Sequence, residues 1–262
     1  MGWILLLVSL WPLSPLMPER LDIDHIIKNW PFEPGVISAR KVTAADGREV
    51  LQMRIEMGLL QMEVSGRPDG ERPEGLETYL DFILQQSLTR DPEFILTEDE
   101  AFEIDREFLQ YYHRRICLLA LREFPQAVAD ADHTLAMMDF AAAHSPDPQW
   151  TLSHEQYRPF VHFHRAQAAA LIQLQKSGPE EAIEEIERGL QQLREVLTGF
   201  EAEDQLEEDE LVQQLVELKE SLREEYKVGA TLSEQLSDAI ASEEYERAAR
   251  LRDEIAKRPK KR

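Results

Sequence analysis

Residues 112–121 read YHRRICLLAL, and residues 163–172 read FHRAQAAALI. Tyr112-His113-Arg114 lies over Phe163-His164-Arg165. Downstream, 127-AVADADHTL-135 lies over 182-AIEEIERGL-190, so that Ala127, Ala131 and Leu135 match Ala182, Ile186 and Leu190. Apolar residues spaced three and four apart mark a helix that buries one face. Each matched stretch therefore reads as a pair of helices, with small residues where the helices cross and an apolar stripe on each side. Self-similarity of this kind is the signature of a stacked supersecondary unit. The spacing differs between the two members of each pair, and the connecting loop absorbs the difference.

The second helix of each unit resembles that of a tetratricopeptide repeat, with its A-x3-Ω-x2-A-L pattern satisfied loosely. The first helices lack the Trp and Gly of that family, and the period exceeds its roughly 34 residues. The units are thus tetratricopeptide-like. An array of helix pairs needs about three units to bury a continuous core, so the flanking segments are expected to cap it. Arrays of this type bind segments of other proteins on a concave face; alternatively, the array only builds a core.

Outward from the pairs, residues 36–65 read as three strands in an antiparallel meander. Asp46-Gly47 is a turn pair between two apolar runs. Leu51, Met53, Ile55 and Met57 alternate with Val50, Gln52, Arg54 and Glu56, which predicts one buried strand face. Gly58 marks a bulge or tight connection. Residues 21–35 hold one helical turn and a Pro-bounded lead-in with Trp30 and Phe32. The segment 66-GRPDGERPEG-75 is a loop, and helical patterning begins at Leu76. Thr97-Glu98-Asp99-Glu100 and Ser153-His154-Glu155-Gln156 both fit a capping box. The segment 144-HSPDPQW-150 interrupts the helices, while Pro125 and Pro179 each open one.

Residues 201–210, EAEDQLEEDE, carry seven carboxylates and read as a solvated helix start. Leu211, Leu215, Leu218 and Leu222 then form one apolar seam, and Gly229 is expected to end that helix in a left-handed conformation. Thr231-Leu232-Ser233-Glu234 is a further capping box, and Ser242 is expected to cap the next helix. Leu232, Leu236, Ala239 and Ile240 form the apolar side of the first of these two short helices. In the second, Ala248 and Ala249 permit close approach, and Tyr245 and Leu251 fill the seam. The two arms fold back as a hairpin, too small to bury much alone and therefore expected to dock.

Residues 232–258, LSEQLSDAIASEEYERAARLRDEIAKR, resemble the UVR domain. That family combines L-x3-L with a small or apolar pair, then an aromatic followed by E-x-A-A-x-L-R-D-x-I. Leu232, Leu236, Tyr245, Glu246, Ala248, Ala249, Leu251, Arg252, Asp253 and Ile255 match in order, with Tyr245 where Phe is commoner. The motif occurs in the B and C subunits of the bacterial excision-repair excinuclease, in certain Clp-type chaperones and in activators of protein arginine kinases. The resemblance implies an interaction element by which one hairpin grips a like hairpin, with Leu232, Leu236, Ile240, Tyr245, Ala248, Ala249, Leu251, Arg252, Asp253 and Ile255 as partner-binding residues. It covers about a tenth of the chain. The whole chain also resembles a bacterial, planctomycete-type group of proteins that carry this motif.

The expected architecture is mainly α within an α+β class. It comprises a leader at 1–17, a β meander at 18–75, a helical repeat body at 76–200, an acidic connecting helix at 201–230, the hairpin at 231–258 and a basic tail at 259–262. The apolar run 2–16 has no Lys or Arg ahead of it and is too short for an ordinary span. It reads as sequence upstream of a true start at Met17; a cleaved signal or a short anchor are the alternatives. One cysteine among 262 residues excludes an internal disulfide and suits a reducing cytoplasm. A net charge of -22 opposes a phosphate backbone, so direct nucleic-acid binding is not expected, and neither is a membrane.

No nucleophile elbow, Walker motif, paired-cysteine site or dinucleotide fingerprint is present. His162 and His164 face different sides of a helix, Asp130, Asp132 and His133 diverge, and Cys117 reads as a buried small hydrophobe. His113 and His164 occupy equivalent positions, each before an Arg, and are expected to be structural. No catalytic residue, metal or cofactor is expected. The chain reads first as a non-enzymatic adaptor that binds a protein partner, either a UVR-containing protein or a second copy of itself. The alternatives are an accessory factor in nucleotide excision repair and an enzyme with a site between meander and helices.

Overall fold

The computed structural model describes residues 22–199 and 203–257. The apolar run 2–16, the expected start at Met17 and the basic tail lie outside the described residues. The architecture is mainly α, with one small antiparallel sheet near its N-terminal end.

After a single helical turn, α1 (Asp24–Ile27), the chain forms β1 (Ala39–Thr43), β2 (Glu49–Ile55) and β3 (Gly58–Glu63), ordered β1-β2-β3. Gly47 takes the left-handed conformation (φ 88°) that the first turn requires. The second connection is tight: Ile55 pairs with Gly58, leaving Glu56 and Met57 as the loop. Met57 is therefore exposed, against the expectation that it joins a buried face.

Both faces of β2 are covered, where alternation predicts only one. On the inner face, Leu51 and Met62 pack against Cys117, Leu118, Phe124, Ala127 and Ala168. On the outer face, Arg40, Gln52 and Gln61 are register partners across the three strands. Arg40 donates to Gln52 Oε1 at 2.9 and 2.7 Å, and Gln52 Nε2 donates to Gln61 Oε1 at 3.0 Å. The lead-in closes over them. Trp30 lies 4.2 Å beneath the Arg40 guanidinium, and its backbone carbonyl accepts from Arg54 Nε at 2.7 Å. Polar residues can be buried here because each finds a partner.

Next come α2 (Tyr79–Ser87), capped by Thr78, and α3 (Glu98–Ala120), which opens with the expected capping box at Thr97 and Glu100. It ends at Arg122, left-handed at φ 61°, where Glu123 N–H donates back to the Leu118 carbonyl at 2.8 Å. Then follow α4 (Phe124–Ala143), α5 (Pro148–Glu155), α6 (Arg158–Lys176) and α7 (Pro179–Leu197). Ser153 caps nothing. The helix starts earlier because Asp147 accepts from Gln149 N–H and Pro148 stands at its first position. The Ser153 hydroxyl instead donates to the Trp150 carbonyl inside α5.

The two helix pairs cross at corresponding residues. In α6 and α7 the crossing is Ala166 on Gly189. In α3 and α4 the residues aligned with these are Arg115 and Thr134, and Arg115 Nη1 donates to Thr134 Oγ1 at 2.8 Å. Beyond α7, a 3-10 turn (Glu203–Glu208) leads into α8 (Glu210–Tyr226). Leu215 and Leu222 of α8, with Leu211 and Leu218 beside them, close the core around Ile183, Ile186 and Leu193. The left-handed residue after α8 is Lys227 (φ 56°), not Gly229. The helix runs out two residues sooner than glycine placement suggests, and the amides of Lys227 and Val228 both return to the Arg223 carbonyl.

A Cβ at Gly189 would lie 2.3 Å from the Ala166 Cβ, so α6 and α7 would have to separate. Gly189→Ala should destabilise the chain by about 1–2 kcal/mol, the overpacking cost exceeding the roughly 1 kcal/mol gain in helix propensity. Urea unfolding followed by circular dichroism measures this. An unchanged or higher midpoint would show that the helices do not cross here.

Candidate functional site

The C-terminal hairpin consists of α9 (Leu232–Ala241) and α10 (Tyr245–Lys257). Its opening is built as the sequence predicts. Thr231 Oγ1 accepts from Glu234 N–H at 3.1 Å, and Glu234 Oε2 accepts from Thr231 N–H at 2.8 Å. The turn between the arms differs from expectation. Ser242 closes α9 instead of opening α10, and Glu243 is left-handed at φ 58°. Glu244 N–H reaches back to the Ala239 carbonyl at 2.8 Å and Glu243 N–H to Ile240 at 3.0 Å. These two returning bonds satisfy the last carbonyls of α9 and reverse the chain within three residues.

The arms hold each other through Leu232, Ala239, Ala248 and Leu251, with Leu236 and Ile255 packed beside them. Ala239 opposite Ala248 supplies the close approach. Tyr245 does not fill the seam: it is 69% exposed, as is Ile240 at 56%. Ala249, Arg252 and Asp253 are exposed as well, and Arg252 pairs only with its neighbour Asp253 at 2.9 Å. The reason is angular. Positions 248, 251 and 255 share one side of α10, whereas 245, 249 and 252 follow a second row about a quarter of a turn away. The candidate residues thus divide in two. Leu232, Leu236, Ala248, Leu251 and Ile255 shape the hairpin; Ile240, Tyr245, Ala249, Arg252 and Asp253 face outward. Ile240 and Tyr245 flank the turn and are both exposed near the hairpin tip.

At its base the hairpin meets the body through charged groups that sequence reasoning missed. Arg223 Nη2 of α8 donates to Glu234 Oε1 at 2.6 Å, with Lys219 Nζ at 3.4 Å from the same oxygen. Thr231, fully buried, donates to Glu187 Oε2 of α7 at 3.3 Å. Glu187 and Glu234 adjoin each other. Burial, then the hydrogen bond shared with Glu234 and the Glu234 charge, pushes the Glu187 carboxyl up to about 7. For Glu234 burial also acts upward, but the hydrogen bonds from Arg223 and the Thr231 amide outweigh it and hold the carboxyl at about 2. Glu187 Oε1 is buried and accepts no hydrogen bond, the Lys219 ammonium standing 3.9 Å away. The available signal was weak: Glu187 falls one residue after Ile186 on an amphipathic helix that carries six glutamates.

The other candidate groups are occupied elsewhere. Asp130 is held by Arg114 at 2.8 and 2.9 Å, Asp132 by Arg165 at 2.5 Å, and His133 by Glu107 at 2.8 Å. Burial, then the charge of Arg115, pushes the His164 imidazole down to about 3, so it is neutral. Burial pushes the Cys117 thiol up to about 12. Among the described residues no three His, Cys, Asp or Glu side chains converge on a metal position, and no helix is long and apolar enough to cross a membrane.

The raised Glu187 carboxyl has a consequence for stability. The folded chain keeps this proton where the unfolded chain has released it. Its contribution is complete below the ordinary glutamate value of 4.5 and is lost as pH rises through about 7. Glu187→Gln mimics the protonated form, so the variant should gain on the wild type by about 1–2 kcal/mol between about pH 5 and pH 8. Parallel stability curves for the two proteins, measured by urea unfolding across that range, would show that no such proton is held.

Compared with known proteins, residues 230–257 match the UvrB/uvrC motif, a protein-interaction module. No curated protein and no solved structure matches the chain. The hairpin assembled above coincides with the matched segment.

Proposed function

We propose that this protein is a non-enzymatic adaptor. Its C-terminal hairpin binds a partner that carries a like hairpin, or a second copy of the chain, while the tetratricopeptide-like body holds a client. One observation carries this reading: the hairpin satisfies its own apolar seam and still presents Ile240 and Tyr245 to solvent at its tip. Large apolar groups on a small rigid element are the anchors that partner recognition uses. The polar flank of Arg252 and Asp253 offers an opposite-charge pair that a two-fold related hairpin could exchange.

Replacing both anchors, as Ile240→Ser with Tyr245→Ser, leaves the seam intact. Affinity capture from the native cell with this variant and with the wild type should differ, the principal partner falling by about tenfold or more. Sedimentation of the purified chain tests self-association separately. Equal recovery of the same proteins and identical sedimentation by both forms would sink the adaptor reading.

A second reading rests on the matched motif alone. In it the hairpin contacts an excinuclease subunit, and the protein assists nucleotide excision repair. A strain lacking the protein should then survive ultraviolet exposure less well than its parent, and unchanged survival would count against this role.

A further inference from the structure

A cavity of about 640 Å³ opens between α3, α5 and α6. Phe108, Leu109 and Tyr112 of α3 form one wall; Tyr157 and Phe160, at the start of α6, form the other. The mouth is open, since Leu109 and Tyr157 are each about half exposed. Asp105 stands at the rim, engaged by His154 Nε2 and Trp150 Nε1 at 2.9 Å each. Arg115 contributes the one cationic lining group, and its side chain is 1% exposed.

Arg115 differs from Arg67 and Arg114, which have acid partners, and from Arg54, whose guanidinium is taken up by the backbone carbonyls of Trp30, Ile55, Glu56 and Gly58. Arg67 pairs with Glu103 at 2.7 Å, and Arg114 pairs with Asp130 through two bonds. Arg115 has neutral partners: Thr134 Oγ1 at 2.8 Å and His164 Nδ1 at 3.4 Å. Among the described residues no carboxylate lies within ion-pair distance of it. Asp130, the nearest acid to act on it, is already spent on Arg114. Desolvation lowers its pKa only to about 10, so it stays charged at neutral pH. A buried, charged fork without a counter-ion is a strongly unfavourable arrangement for packing alone. At the corresponding crossing of α6 and α7, Ala166 and Gly189 do that packing without any charge.

We propose that this cavity binds a small free carboxylic acid, its carboxylate on the Arg115 guanidinium and its apolar or aromatic body between Tyr112, Tyr157 and Phe160. The guanidinium fork matches a carboxylate in plane and charge. The cavity has the volume of a small-molecule site with mostly apolar walls and a few polar groups, Arg115, Ser153, His154 and an Asp105 already engaged by His154 and Trp150. This site is separate from the hairpin and does not depend on the adaptor reading.

Calorimetric titration of the full chain with 4-phenylbutyrate tests it, alongside 4-phenylbutyramide and a pentapeptide ending in a free-carboxylate Phe. The acid should saturate one site and raise the thermal midpoint. The amide and the peptide should bind roughly tenfold or more weakly. Arg115→Met should lose the acid while its ligand-free thermal midpoint stays equal to or above that of the wild type. Should that variant fail to fold, Leu109→Gln at the rim serves instead, with binding weakened several-fold and stability unchanged. Failure of the acid to saturate, equal binding of acid and amide, or tighter binding of the peptide overturns the proposal.

Discussion

One buried carboxylate fixes how the N-terminal half is assembled. Glu107, in the middle of α3, has no solvent exposure. Its Oε2 accepts from Tyr79 N–H at 2.6 Å, and its Oε1 accepts from Leu80 N–H at 3.1 Å, so it serves the open amides at the start of α2. Arg67 Nε approaches it at 3.5 Å and His133 Nε2 at 2.8 Å. A buried charge missing these partners would cost several kcal/mol. The loop after β3, α2, α3 and α4 must therefore arrive together. Arg114 extends the constraint by tying Asp130 of α4 to the Glu63 and Gly66 carbonyls. The sheet is thus seated on the helices by directional bonds as much as by its apolar face, which sets the angle at which it sits.

Local patterns were readable from the residues. The strands, the helix pairs, the capping boxes at Thr97 and Thr231 and the hairpin each depend on neighbours in sequence. Long-range competition decided the rest. The pattern at Ser153 is a valid helix start, but Asp147-Pro148 nucleates the helix first. Alternation along β2 could not reveal that Trp30, more than twenty residues upstream, covers its outer face. Glu107 and Arg114 did leave a trace, since both fall on the helical face shared by Ile104, Tyr111 and Leu118. A charged residue on a buried stripe signals a polar partner elsewhere. In the hairpin the apolar residues were legible as a set, but their division into inner and outer rows depends on where the opposite arm lies.

The two helix crossings solve one geometric problem in different ways. Ala166 on Gly189 uses absence of volume, so the backbones approach and the surrounding Ile and Leu residues close over them. Arg115 on Thr134 uses a hydrogen bond and leaves a cation facing an aromatic cavity. The first crossing holds no polar side chain. The second places a hydrogen-bonded cation where the first has only small side chains.

The base of the hairpin carries a mechanical implication. Its seam is made of its own residues, and the body meets it through Glu187, Lys219, Arg223 and Glu234. Charge attraction of this sort softens as ions accumulate around it, whereas the apolar seam does not. The hairpin is therefore a stiff lever on an electrostatically sprung pivot. Its arm is roughly 15 Å long, from about ten residues of helix. A tilt of about ten degrees at the pivot sweeps Ile240 and Tyr245 through roughly 3 Å.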